Sequence, residues 1–300
     1  MYVERIPQPL SPRQRCFTAL HATLAAGLLL VGTGVPNDAD AKGNLAVTWD
    51  ESASGTDLKL DDYRLLFEEN FDEKALDGPK MFAPVHSPFG AGVFDQPDGK
   101  AYEVIDGSLV ISAYEEGNKW RSGSVQTADL PQSLGKEAFT ADKGFACGNC
   151  YFEARMKFPE GVVHGPWAAF WLLSPESPNG HTEIDVIEWY GGDPKGHHQS
   201  VHVWPKDRKA HAFQSNYTGM PAITDGAWHT YGAQVRDGTV HIYVDRKEIS
   251  QVAVPGDFTG PYYAVVTLAV LEKELQLIDK PFSIAVDYIR AYEPATAESE

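Results

Sequence analysis

Glu183-Ile184-Asp185-Val186-Ile187-Glu188 sets three carboxylates on one short segment whose remaining residues are all apolar. Ile184 and Val186 alternate with Glu183 and Asp185, the period-two pattern of a strand with one buried and one open face. Glu183 and Asp185 therefore share a face, whereas Glu188, five positions after Glu183, has the parity of the core. An unpaired carboxylate there would cost several kcal/mol in desolvation. One extra residue removes the conflict. A β-bulge at Val186-Ile187 restores the phase and returns Glu188 to the open face, and such bulges recur beside active sites. The segment predicts a row of three acids in a groove.

Three like charges so close cannot all ionise freely, so at least one carboxyl is expected to hold its proton. A protonated carboxyl beside an ionised one suits cleavage of a glycosidic bond. One acid protonates the leaving oxygen. The other attacks the anomeric carbon when the two lie about 5 to 5.5 Å apart, giving a covalent intermediate and retained configuration. Glu183 fits the nucleophile and Glu188 the acid. Asp185, between them, is placed to hydrogen-bond the nucleophile and hold its protonation state. Acidic residues alternating with apolar ones also describe an ordinary solvated strand face, but such a strand has no reason to end in a carboxylate of core parity.

Outward from this segment, short apolar or aromatic runs alternate with Gly, Pro and Asp from Tyr63 onward, and no long stretch keeps a 3.6-residue period. The chain reads as all-β. Candidate strands are 65–67, 102–105, 109–113, 123–127, 151–158, 167–173, 182–188, 199–204, 230–235, 240–244, 263–270 and 282–292. Asp106-Gly107 and Asp237-Gly238 mark hairpin turns between several of them. So many strands exceed one comfortable open sheet, so two packed antiparallel sheets, a sandwich, are expected.

The chain has 300 residues, 43% of them hydrophobic, enough for a substantial core. Its first 41 residues differ. Arg5, Arg13 and Arg15 precede an apolar run from Ala22 to Val31 and then Ala39-Asp40-Ala41. This is the layout of a secretory signal peptide, and the run is shorter than the ~20 residues a bilayer span needs. The expected organisation is a signal peptide at 1–41, a linker at 42–62, a catalytic β-sandwich at 63–294 and a frayed polar tail at 295–300. The expected location is outside the cytoplasm, secreted or periplasmic.

The net charge of −17 disfavours polyanions: nucleic acid would meet a repulsive surface. A neutral or weakly charged polysaccharide is the expected partner, and the protein is expected to be a monomer with no membrane attachment once the leader is removed. Cys16 lies in the leader, leaving Cys147 and Cys150. An oxidising compartment would join these two. A strand beginning at Tyr151 follows them rather than the helix that lowers a thiolate pKa, so a local structural bridge is favoured over a redox pair.

Glu-Ile-Asp-Val-Ile-Glu resembles the Glu-x-Asp-x-x-Glu signature of glycoside hydrolase family 16, in the bulged form found in laminarinases, agarases and carrageenases. Gly165-Pro166-Trp167-Ala168-Ala169-Phe170-Trp171-Leu172-Leu173 is similar to the family's aromatic strand just upstream, with Ala168 in place of the usual Pro. Tyr151 to Lys157, Trp228-His229-Thr230-Tyr231 with Val244-Asp245, and Val286-Asp287-Tyr288-Ile289-Arg290 extend the likeness to roughly residues 64–293. Leu271-Glu272 and Lys80-Met81 depart from the family pattern. The resemblance implies a concanavalin A-like jelly roll with an open sugar groove on its concave sheet. It also implies a retaining endo-β-glycanase acting on β-1,3 or mixed β-1,3-1,4-glucan. A transglycosylase or a galactan hydrolase on the same site, and a non-catalytic glycan-binding module, are the alternatives.

A polysaccharide groove needs flat aromatic faces and polar groups that fix hydroxyls. Trp167 and Trp171 share one strand face, as do His202 and Trp204. His202 matches a histidine that the family places beside the nucleophile, Arg121 resembles a groove residue of related lichenases, and Tyr190 is expected near the sugar. Trp189, next to Glu188, is expected in the core. His198 and His202 span roughly 13 Å on a strand, too far to share a zinc ion. The chemistry needs no cofactor. The resemblance implies a structural calcium held by Asp287 and by backbone oxygens of Glu69 and Gly107.

Overall fold

Short apolar runs separated by Asp-Gly and Gly-Pro punctuation become strands in the computed structural model. It describes residues 56–295, less gaps at 73–75, 77–79, 84–89, 131–137, 208–210 and 255–259, together with the backbone of 46–48. The expected signal peptide, 1–41, and tail residues 296–300 lie outside the described residues.

In chain order the strands are β1 (Ala46–Thr48), β2 (Tyr63–Glu69), β3 (Gly92–Phe94), β4 (Tyr102–Ile105), β5 (Ser108–Glu116), β6 (Lys119–Gln126), β7 (Tyr151–Lys157), β8 (Pro166–Leu173), β9 (Gly180–Tyr190), β10 (Gly196–Pro205), β11 (Ala212–Gly219), β12 (His229–Arg236), β13 (Thr239–Val244), β14 (Lys247–Ala253), β15 (Tyr263–Val270) and β16 (Phe282–Pro294). Neighbours run β1-β11-β10-β9-β8-β15-β6 in one layer and β5-β16-β7-β12-β13-β14 in the other. The β5–β6 hairpin joins the layers, β2 pairs with β16, β4 with β5 and β3 with β6. The result is the expected all-β jelly-roll sandwich. The two Asp-Gly turns form as read. Asp106 and Gly107 have φ of 51° and 72°, Asp237 and Gly238 of 52° and 71°, the double positive φ that matches strand twist in a tight hairpin.

The main core lies between the layers. Phe170 and Leu172 of β8, Ile184 and Trp189 of β9, and Val266 of β15 belong to the same buried cluster as Phe152 and Met156 of β7 and Ile284 of β16. β8 and β15 are apolar on both faces for a separate reason. Ala169, Trp171 and Leu173 of β8, with Tyr263 and Val265 of β15, form a second cluster with Ala128 and Leu130. Burial on two sides explains the nearly continuous apolar runs of these two strands.

Four strands fall outside the sequence reading. β1 lies inside the stretch 42–62 that was expected to be a linker and pairs in parallel with β11. It satisfies an edge that would otherwise expose backbone donors and acceptors. β11 itself, Ala-Phe-Gln-Ser-Asn-Tyr-Thr-Gly, and β14, Lys-Glu-Ile-Ser-Gln-Val-Ala, are too polar to carry the aliphatic signature of a strand. β3 has only three residues. Ala295, placed in the expected tail, still donates its N–H to the Asp62 carbonyl.

Cys147 and Cys150 are joined, and Cys147 exchanges two backbone hydrogen bonds with Tyr262, just before β15. β7 begins directly after the bridge, so the structural reading of the pair holds. The same strand carries a fully buried carboxylate, Glu153. Arg246 grips it with two N–H donors at 3.0 and 2.8 Å, and the Tyr151 and Tyr292 hydroxyls donate to it at 3.0 and 3.3 Å. Removing the cation strands a buried charge. Arg246→Met is therefore expected to destabilise the protein by about 3 kcal/mol, read from the urea unfolding midpoint; an unchanged midpoint would show that the tyrosines suffice.

Candidate active site

β9 holds one residue more than either neighbour. Against β8, Phe170 pairs with Ile187 but the next residue, Trp171, pairs with Asp185. Against β10, His198 pairs with Glu188 while Ser200 pairs with Asp185. Val186 is the surplus, and both Val186 and Ile187 are buried in the main core with Ile184 and Trp189. The predicted bulge is present at the predicted place. Its consequence is also as expected: Glu183, Asp185, Glu188 and Tyr190 all present their side chains to the open face of the first layer, and Trp189 goes inward.

Each acid has its own donor on a neighbouring strand. Trp204 of β10 gives its indole N–H to Glu183 Oε2 at 3.1 Å. His202 Nε2 lies 3.1 Å from Asp185 Oδ2. Trp167 of β8 donates its indole N–H to Glu188 Oε1 at 3.1 Å, and the Tyr190 hydroxyl donates to the same oxygen at 3.3 Å. Glu183 and Glu188 are thus held from opposite sides of β9, with Asp185 between. One donor atom each from Glu183, Asp185 and His202 falls within a mutual 4.8 Å, a spacing that could hold a cation. The hydrogen bonds to His202 and Trp204 account for the arrangement by themselves.

Burial pushes the Glu183 carboxyl up to about 8, and the charge of Asp185 adds to this, while His202 and the Trp204 N–H oppose it. Asp185 is pushed well above the ordinary carboxylate range, first by burial and then by the charge of Glu188. Both shifts run in the expected direction. Once Asp185 is neutral, the like charge that adds to the raising of Glu183 is gone, while burial, the larger cause, remains. Burial and the Glu188 charge also raise Tyr190, which therefore stays a donor.

Five of the six residues expected around the acids are brought together, though not all as free sugar platforms. Trp167, His202, Trp204 and Tyr190 contact the acids directly. Trp171 lies opposite Asp185 on the same face, but it is only 6% exposed in the second cluster and gives its N–H to Thr267 at 3.0 Å. It is a wall of the site. Arg121 is placed differently from the expectation: its guanidinium meets Asp95 at 3.7 Å and Glu116 at 3.5 Å, because the β5–β6 hairpin and the segment after β3 supply carboxylates closer than the row.

His197 and His198 meet different partners. Burial pushes His197 down to about 3, and its Nδ1 meets Gln199 at 2.7 Å, whereas His198 lies edge-on to Tyr190 and Tyr217. The positions read as a calcium site are gathered by β16. Ile289 pairs with Glu69, and Val286 with Leu109, two residues after Gly107. Asp287 lies between these pairs and gives one carboxylate oxygen to Arg155 at 2.6 Å.

The sequence reading missed the β11 side of the site. His211 stacks on Trp204 with ring centres 3.7 Å apart, Phe213 extends the same set of near-parallel rings, and Ser215 accepts a hydrogen bond from Ser200 at 3.2 Å. The alternation His211, Phe213, Ser215, Tyr217 was available as a period-two signal, but the polar residues between them masked it. On the far side, Gly90, Trp167, Leu271, Glu272 and Lys273 line a recess of about 420 Å³. Leu271-Glu272, where the chain departs from the family pattern, builds its wall.

A family model described as Glycosyl hydrolases family 16 matches residues 113–270. Endo-1,3-1,4-beta-glycanase EglC of Rhizobium meliloti strain 1021 is 30% identical over 203 residues, 66% of this chain and 41% of the relative. Endo-1,3-1,4-beta-glycanase ExsH of the same organism is 29% identical over 64% of this chain and 39% of its own. The chain thus spans about two fifths of the length of these relatives. Among solved structures, a Bacteroides ovatus mixed-linkage glucan enzyme in complex with a G4G4G3G product superposes with a TM-score of 0.60 at 21% identity, covering 75% of this chain and 99% of that one. SCLam, a non-specific endo-beta-1,3(4)-glucanase, gives 0.63 at 18% identity, covering 84% and 97%. At these identities the structures support the fold.

The raised Glu183 carboxyl has a consequence for stability. Its value in the fold, about 8, exceeds its ordinary 4.5, so folding favours the protonated form; that contribution is complete below about 4.5 and is lost as pH rises toward 8. Glu183→Gln removes the dependence. Its melting temperature is expected to match that of the wild type below pH 4.5 and to exceed it increasingly up to pH 8; a constant difference across that range in differential scanning fluorimetry would contradict the raised value.

Proposed function

As a member of glycosyl hydrolase family 16, this chain is, we propose, a secreted retaining endo-β-glycanase that hydrolyses β-1,3 or mixed β-1,3-1,4-glucan. The observation that carries the reading is the bulge in β9, which sets Glu183 and Glu188 on one face, each with a separate indole donor. Glu183 attacks the anomeric carbon as the glycosidic C–O bond breaks, and Glu188 delivers its proton to the departing oxygen. Glu188, now a base, takes a proton from water; the water oxygen attacks the anomeric carbon and releases Glu183. Asp185 holds its own proton through both steps, which keeps like charge away from the nucleophile. The substrate class is supported by the names of EglC and ExsH and by the net charge of −17, which favours a neutral glucan over a polyanion. Secretion is supported by the leader pattern of residues 1–41.

Purified protein is expected to release reducing sugar from laminarin or barley mixed-linkage glucan, with the β-anomer formed first by proton NMR. Glu183→Gln should lose turnover by roughly 10³-fold or more while still retaining glucan in affinity electrophoresis. A first-formed α-anomer would overturn the retaining mechanism, and no release from any neutral β-glucan would overturn the substrate class.

A structural calcium is part of the same proposal, held by the Asp287 carboxylate and the carbonyl oxygens of Glu69 and Gly107, with Arg155 competing for the carboxylate. It takes no part in the chemistry. The melting temperature should fall on chelation and recover with added calcium; insensitivity to both would remove the ion from the reading.

A further inference from the structure

We propose that His211 is a positioning residue that fixes the tautomer of His202 and thereby the hydrogen bond His202 makes to Asp185. The inference deepens the proposed function, because it rests on the acid row being the reacting centre.

His202 is held at both nitrogens. Its Nε2 lies 3.1 Å from Asp185 Oδ2 and its Nδ1 lies 3.0 Å from His211 Nε2. The two imidazole planes differ by only 6° with ring centres 5.2 Å apart, so the rings meet edge to edge and the N···N contact lies in both planes. That is hydrogen-bond geometry, not a face stack. His211 cannot easily swing away, because its face lies on the Trp204 ring, 3.7 Å between centres and 9° between planes. Trp204 is itself tied to Glu183 through its indole N–H. One assembly, His202 and Trp204 of β10 with His211 just before β11, therefore reaches both Glu183 and Asp185.

Two facing imidazole nitrogens cannot both carry a lone pair, nor both a hydrogen, without repelling. Burial pushes the His211 imidazole below its ordinary value, which favours the neutral ring with a single N–H to give. If that hydrogen sits on Nε2, it is donated to His202 Nδ1. His202 must then carry its own hydrogen on Nε2, where Asp185 Oδ2 accepts it. The reverse order puts the His202 hydrogen on Nδ1 and leaves a nitrogen lone pair facing an Asp185 oxygen. With both rings neutral, only the first order makes both contacts attractive while leaving Asp185 free to hold a proton on its other oxygen for Glu183. The partner of one imidazole nitrogen decides the state of the other. The titratable groups facing this pair are Asp185 and Glu183 of β9; from β11 it is faced by Phe213.

The test is the nitrogen-15 spectrum of His202 in labelled full-length protein, assigned by comparison with His202→Gln. Wild-type His202 should show a hydrogen on Nε2 and a bare Nδ1. His211→Phe keeps a flat ring on Trp204 but removes the donor; His202 should then become a tautomer mixture, and kcat on glucan should fall on the order of 10- to 100-fold with KM within about twofold, as for other partners that orient a functional imidazole. His211→Gln, whose amide N–H can replace the donor, should recover most of both. A hydrogen on Nδ1 in the wild type overturns the proposal whatever the variants do. So does an unchanged His202 spectrum in His211→Phe, or a rise in KM at constant kcat, which would make His211 a sugar contact. A protein with this tautomer pattern that hydrolyses no β-glucan would instead refute the proposed function.

Discussion

The unmatched Val186 in β9 is the constraint on which the rest of the site depends. A regular strand that buried Ile184 and Val186 would expose Ile187 and bury Glu188, because the side-chain period is two. With the extra residue, two consecutive apolar side chains, Val186 and Ile187, both reach the core, and the phase after them is reset. Hydrophobic burial of those two residues and placement of the carboxylate are the same event. The distortion also costs little pairing, since β8 and β10 resume their ladders on both sides of it.

The two layers treat buried carboxylates in opposite ways. Glu153, in the second layer, is fully buried but meets a bidentate guanidinium and two hydroxyls, so its charge is compensated and it serves stability. Glu183 and Asp185, in the first layer, meet an indole, an imidazole and each other, and burial without a full cation raises them. An uncompensated carboxyl is poor for stability and useful for chemistry, because its proton and its charge can both be exchanged with a substrate. The indoles of Trp167 and Trp204 each fix one carboxylate oxygen from the strands beside β9.

Legibility from sequence followed how much of a signal was local. β4 and β15 were read with their observed limits, and the other aliphatic strands to within a few residues, because alternation and Asp-Gly turns are properties of neighbouring residues. β11 and β14 were missed since their outer faces are polar and their strand state comes from pairing with β10 and β13. With β11 went His211 and Phe213. Trp171 was placed on the correct face, yet its burial depends on the segment around Ala128 and Leu130, distant in sequence. Arg121 was drawn to Asp95 and Glu116 by the way the β5–β6 hairpin folds back, which no spacing rule near Arg121 reveals.

Six consecutive residues were enough to determine the strand, the bulge and the shared face of three acids, because side-chain parity and the cost of burying a charge act over a few residues. Tertiary structure alone decided which donor meets which acid, that burial raises Glu183 and Asp185, and that His211 packs on Trp204. Those outcomes depend on strand order and on desolvation by distant segments, and both are set only when the two layers pack.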